Sequence, residues 1–335
     1  MSALAQPAAS PEEPDFHLHS RSHLRLNRGD HTFDIYLFAP DETAEIVKDS
    51  YCGADSGARH FSGRYQLLSV ADNSVVSRVD LGPDGSFVEN KPHDGARLVR
   101  DPKSGQNLIA LYQYENCNTE SVQFYSVDPS GRLFLISFLD RDGRAWKQIL
   151  TGPNGTILPT GDGALTFYSY VNSLGFNFCE SYTFDGANFL EAAKWLAPLT
   201  TGAVSGPNDT GLAERALFEF LSALSAGDYA AAAYYLDTSV NTGGAPHPAA
   251  DKDRRAAFLE DYCTVRGGQC FIPVELKAPA TADQTTGLRF SVSFQNSDFQ
   301  PFRIGARSSF DFRVSKTAAG FKVLDLPPRI PPAQQ

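Results

Sequence analysis

The chain lacks a Cys-x-x-Cys pair, a surplus of positive charge and any long uninterrupted apolar run. Each absence removes a class of function. Without paired cysteines at short spacing, its five cysteines do not form a structural zinc site. A net charge of −10 over 335 residues, with lysine scarce, gives no basic patch for nucleic acid or an anionic membrane. No stretch approaches the roughly 18 apolar residues that a membrane span needs. What the chain has is turn chemistry: 27 glycines and 21 prolines among abundant aromatics, the mix expected of short strands and tight turns. The length suits about two domains.

Residues 1–14 read as an Ala/Pro-rich disordered tail with neither a basic nor an apolar region. Ala3-Leu4-Ala5 before Gln6-Pro7 matches the A-x-A end of a cleaved leader. Cys263 and Cys270 are separated by Thr-Val-Arg-Gly-Gly-Gln and bracket a helix end and a strand start, which two glycines can bring together. A disulfide is expected there; the alternative is two buried thiols in a reducing cytosol. Cys52, Cys117 and Cys179 receive no pairing. These features together point to export, to a bacterial periplasm or cell surface, with the cytoplasm as the alternative.

Residues 15–196 form a succession of short alternating or apolar runs divided by turns such as Asp128-Pro-Ser-Gly131 and Asp140-Arg-Asp-Gly143. Ser22–Leu26 and Thr32–Phe38 make a hairpin around Arg28-Gly29-Asp30, a tripeptide that a turn explains without adhesion. A weak repeat is present. Tyr112-x-Tyr114-x-Asn116 returns as Tyr168-x-Tyr170-x-Asn172, and Tyr125-Ser-Val-Asp128 as Tyr182-Thr-Phe-Asp185. Such a period suits propeller-like blades or twisted antiparallel sheets. Tyr112, Tyr114, Tyr168 and Tyr170 are candidate ligand-binding residues for a glycan or peptide; the alternative packs them against a neighbouring sheet. His17-x-His19-x-x-x-His23 has a spacing that could ligate a metal, but nothing supplies the remaining ligands. Asp140-x-Asp142-Gly143 starts like a calcium loop and lacks the rest of the pattern. No metal site, cofactor or catalytic residue is assigned.

Residues 197–209 are a Gly/Thr/Ser/Pro-rich linker. Residues 210–328 form an α+β domain, and 329–335 a Pro-rich tail. Leu217, Phe220, Leu221 and Leu224 make one apolar helical stripe, with Glu214, Arg215 and Glu219 among the other positions and Thr210 as the N-cap. Gly227 stops that helix and Asp228 caps a second one, Tyr229 to Leu236. Residues 241–248, with His247, read as a loop. A third helix spans Asp251 to Val265, and strands follow, including Leu288 to Phe294 and Ile304 to Val314.

Phe218, Leu221, Leu224, Ser225-Ala226-Gly227-Asp228-Tyr229-Ala230-Ala231-Ala232 and Leu236 together resemble the opening of the NTF2-like superfamily, near its small exported and lipoprotein-borne members of unknown function. The resemblance covers about 120 residues and implies a cone in which a curved sheet wraps three helices. It offers a concave pocket or a homodimer face. The superfamily's enzymes use an Asp, His or Tyr inside the cone, and no such set maps onto this chain. Arg289, Asp311 and Arg313 are the candidate binding residues here, provided that the strand register puts them on one face; a solvent-facing ion pair is the simpler account. The fold expected is therefore a two-domain chain, an all-β repeat domain followed by an NTF2-like α+β domain. The function expected is non-enzymatic binding or scaffolding of a small molecule, glycan or protein. The alternatives are a carrier or enzyme acting in the cone, and a sugar- or peptide-binding repeat domain.

Overall fold

The structure is a computed structural model. It describes residues 20–46, 48, 57–82, 85–88, 95–116, 119–151, 157–159, 162–171, 176–198, 206–242, 245–248, 251–264, 272–277, 287–295 and 309–326. Strand dominates, and the chain divides into two compact units. One comprises Met1–Ser169 and Tyr182–Ala192, the other Tyr170–Ser181 and Ala193–Gln335.

In chain order the first strands are β1 (Ser20–Arg28), β2 (His31–Phe38), β3 (Thr43–Ile46), β4 (Arg59–Gly63), β5 (Gln66–Ala71), β6 (Ser74–Asp80) and β7 (Gly85–Val88). Next come β8 (Gly95–Arg100), β9 (Asn107–Asn116), β10 (Thr119–Val127), β11 (Leu133–Leu139), β12 (Ala145–Trp146), β13 (Ile149–Thr151) and β14 (Leu158–Pro159). β15 (Leu165–Val171), β16 (Phe176–Phe184) and β17 (Asn188–Pro198) contribute residues to both units. β1-β2-β5-β6 and β3-β4-β7 are antiparallel sheets, and a curled third sheet runs β14-β15-β16-β17-β11-β10-β9-β8.

The burial pattern explains the sequence pattern. β9 reads Leu108-Ile-Ala-Leu111 without alternation because both its faces are covered. Ile109 and Leu111 join Leu26, Phe33, Ile35, Leu37 and Leu67 in one core. Leu108, Ala110 and Tyr112 join a second core rich in rings: Phe124, Phe138, Phe167 and Phe189. Phe124 meets Phe189 edge-on at 4.9 Å between centroids. β6 has one covered face and alternates accordingly.

The sequence repeat corresponds to two meanders, β9-β10-β11 and β15-β16-β17. Blades of a propeller would be separate sheets. Here β11 hydrogen-bonds directly to β17 in parallel, Ser137–Leu139 beside Asn188–Leu190, so the copies share one sheet. Of the two architectures expected, twisted sheets replace the propeller. Gly29 turns the β1–β2 hairpin with φ +58. The neighbouring Arg28 donates from Nε to the Val127 carbonyl at 2.9 Å and from Nη2 to Asn107 O and Ser126 Oγ. An adhesive Arg-Gly-Asp needs a free guanidinium, and this one anchors the fold.

The second unit adds α1 (Asp209–Ser225), α2 (Tyr229–Tyr235), β18 (Leu236–Thr242), β19 (Ala245–Pro248), α3 (Lys252–Thr264), β20 (Ile272–Lys277), β21 (Leu288–Gln295), β22 (Ser309–Thr317) and β23 (Gly320–Leu326). Its sheet runs β19-β18-β23-β22-β21-β20, antiparallel except where β18 meets β23. α1 begins two residues earlier than expected. Asn208, not Thr210, is the N-cap, its side chain accepting from the Gly211 N–H at 2.9 Å. The helix ends in a Schellman motif: Gly227 N–H reaches Leu224 O and Asp228 N–H reaches Ala223 O. Asp228 then caps α2 by accepting from Ala231 N–H at 2.9 Å. Residues 241–248 are not the expected loop. Val240 pairs with His247 across the β18–β19 hairpin, so His247 is a strand residue.

Leu217, Phe220, Leu221 and Leu224 of α1 pack with Phe290 and Val292 of β21, Phe312 and Val314 of β22, and Leu259 and Tyr262 of α3. Each fully buried Leu or Phe is worth about 1.5–3 kcal/mol of transfer from water. Trp195 at 1% exposure is also buried in this unit, whereas Trp146 of the first unit is 43% exposed.

Candidate functional site

The tyrosine candidates do not form an exposed aromatic face among the described side chains. Tyr112 is 4% exposed inside the ring-rich core, and burial raises its phenol well above the usual range. Tyr168 is half-buried on β15. The side chains of Tyr114 and Tyr170 lie outside the description. His17, His19 and Cys270 also lie outside the described residues. His23 stacks on Tyr36 at 4.5 Å and sits 2.9 Å from Asp34 Oδ1. Asp140 Oδ1 accepts from the N–H groups of Asp142 and Arg144, which makes the turn rather than a cation loop. No group of His, Cys, Asp and Glu suited to a metal occurs among the described residues.

The register does bring Arg289, Asp311 and Arg313 onto one face. Arg289 lies opposite Arg313, and Asp311 lies opposite Ser291. The ion pair that results is a different one from that expected. Arg313 turns to β23 and pairs with Asp325 Oδ2 at 2.9 Å, and Asn241 donates to Asp325 Oδ1 at 3.1 Å. Arg289 and Asp311 stay exposed.

A charge cluster of the second unit lies elsewhere, where α1 meets β16 and β17. Glu214 and Arg215 are buried, contrary to the polar position that the helical stripe gave them. Arg215 donates from Nε to Glu219 Oε1 at 2.7 Å, one turn on, and from Nη2 to Glu180 Oε1 of β16 at 2.9 Å. Its guanidinium lies over the Phe178 ring at 4.4 Å, and Phe178 packs on Phe218 at 4.7 Å. Lys194 Nζ of β17 approaches Glu180 at 4.0 Å. Burial works against the Arg215 charge, but Glu219 and Glu180 outweigh it, so its pKa is raised. Nη1 is buried without a hydrogen-bond partner. Such a network ties a helix to a strand and gives register; breaking one partner strands a buried charge.

Burial raises the pKa of two neighbours. The Cys179 thiol of β16, free and buried, is pushed up to about 12, which leaves it a poor nucleophile. The Glu214 carboxyl is pushed up to about 7 by burial. Gly211 makes the close approach of α1 to β17 possible: a Cβ there would lie 2.4 Å from the Leu196 carbonyl oxygen. Periodicity gave a sign of Glu214, which precedes Leu217 by three residues and Leu221 by seven. No local signal marks Glu180 as the partner of Arg215.

No protein-family model and no curated protein matches the sequence. One solved structure is similar, that of a Xanthomonas type IV secretion system related protein. The identity is 10% and the TM-score 0.30, over 56% of this chain and 93% of that chain. A likeness of that size specifies neither fold nor function.

Proposed function

We propose that this is a non-enzymatic, exported binding or scaffold protein. In this reading the second unit is an NTF2-like domain that works as a solid support rather than as a catalytic cone. The observation that carries the reading is the filling of the sheet's inner face. Phe290, Val292, Phe312 and Val314 are buried in one apolar cluster with Leu217, Phe220 and Leu221, so α1 packs directly on these inner-face side chains. The charges near α1 support it as well, since Arg215, Glu180 and Glu219 are spent on one another. Export belongs to the same reading, and a Cys263–Cys270 bond is what it requires. Cys263 is buried and, unlike Cys179, does not stand as a free thiol.

The test is a fluorescence titration of the native full chain with an apolar naphthalene-sulfonate probe. A solid support gives no saturable one-to-one site. A stoichiometric site lost on Phe290→Trp or Leu221→Trp substitution favours the carrier alternative and overturns this reading. A non-reducing peptide map of protein secreted by its host should link Cys263 to Cys270; free thiols at both would remove the argument for export.

A further inference from the structure

We propose that the hairpin joining β11 and β12, with Trp146 at its centre, is a docking surface for an acidic segment of a partner protein. The inference places the partner surface of the binding reading on the first unit and rests on that reading.

Residues 141–148 are exposed without a break, so this hairpin projects from the first unit. Its backbone is nonetheless fixed. Asp140 N–H donates to Arg144 O at 3.0 Å, and Asp140 Oδ1 accepts from the N–H groups of Asp142 and Arg144. Arg141 ties the turn to β17: it donates from Nη2 to the Ala192 carbonyl at 2.9 Å and pairs with Glu191 at 3.4 Å. Trp146 stands opposite Phe138 of β11, at the rim of the ring-rich core. Phe138 is buried there, whereas Trp146 is 43% exposed. On the other face of the same strands, Leu190 stands opposite Leu139 and is 38% exposed. A partner that covers an indole held on a fixed turn removes apolar area from water with little backbone to order.

The charges around the indole select the partner. The Glu191 side chain is 9% exposed and committed to Arg141. Asp140 is half-buried and committed to backbone N–H groups. That leaves Arg141, Arg144 and Lys147 facing water against Asp142 alone, on a chain whose net charge is −10. Arg144 and Lys147 form no ion pair among the described residues. Cations in local excess around an apolar anchor are complementary to carboxylates around an apolar side chain. The projecting shape suits a protein, because small ligands take concave sites. Tryptophan and arginine are also the residues that most often anchor protein interfaces.

Calorimetric titration of the full chain with a synthetic peptide in which glutamates surround a leucine tests this. The control is the same peptide with lysines in place of glutamates. The glutamate peptide should bind saturably, more weakly at high salt, and the lysine peptide should not bind. Trp146→Ala should weaken binding about tenfold or more. Arg144→Glu combined with Lys147→Glu should do the same, whereas Arg289→Glu in the second unit should change little. The altered side chains are exposed, so circular dichroism should be unchanged. Absence of saturable binding, equal binding of the lysine peptide, or wild-type affinity in the Trp146 or double variant would each overturn the proposal. So would tighter binding of a sulfated oligosaccharide, which would assign the surface to an anionic glycan. No residue of the second unit contributes to this surface, so its failure and failure of the solid-support reading remain distinguishable.

Discussion

Glu214 lies on the buried side of α1, one turn before Leu217 and Phe218, and no ion pair compensates it among the described residues. Its neighbour Arg215 is already engaged by Glu180 and Glu219. With the folded carboxyl near 7 against an ordinary value of 4.5, the folded state holds this proton over a window in which the unfolded chain has released it. Stability therefore falls as pH rises through that window, because the unfolded state binds fewer protons there. Glu214→Gln should remove this slope and stabilise the protein above pH 7, on the order of 1–2 kcal/mol after allowance for solvent screening. Urea unfolding of both proteins at matched pH values reads it; parallel pH profiles would refute it. The spacing of Glu214 from Leu217 and Leu221 was legible as an inward position, and the residue type argued against it. Arg215 was not legible, because Phe178 and Glu180 come from a strand 35 residues earlier, beyond any helical period.

At the scale of elements, the joint between α1 and α2 is the most legible part of the fold. Gly227 with φ +73 and Asp228 with its short acceptor are demanded by local chemistry alone. The start of α1 was misplaced because Asn208 and Thr210 are both competent caps, and only the backbone decides: Asn208 is extended at φ −130, whereas Thr210 is already helical. Asn208→Ala should cost about 1 kcal/mol and Thr210→Ala much less. Equal costs in chemical denaturation would contradict the assignment. The β18–β19 hairpin was hidden by Pro246 and Pro248. β19 lies at the sheet edge, where proline sacrifices no ladder bond on the open side. In the first unit the Asp128 and Asp140 turns were readable, and both use one carboxylate oxygen to collect the N–H groups two and four residues on.

For the molecule as a whole, composition marks a linker at 197–209, and part of that range lies outside the described residues. Tyr170–Ser181 and the residues from Ala193 onward group with the second unit because Phe178, Glu180 and Leu196 pack or pair with α1. Composition cannot register which core an apolar side chain joins, so this assignment was not legible. A fragment beginning at Pro207 should not unfold cooperatively, since it strands Arg215 and uncovers α1, whereas the full chain should show a cooperative transition of the second unit. A cooperative transition in that fragment would refute this. The two tryptophans of the chain are divided one to a unit, and their surroundings are opposite. The emission spectrum of the native protein is therefore a sum of a blue component from Trp195 and a red one from Trp146. Loss of the blue component reports the melting of the second unit without any engineered label.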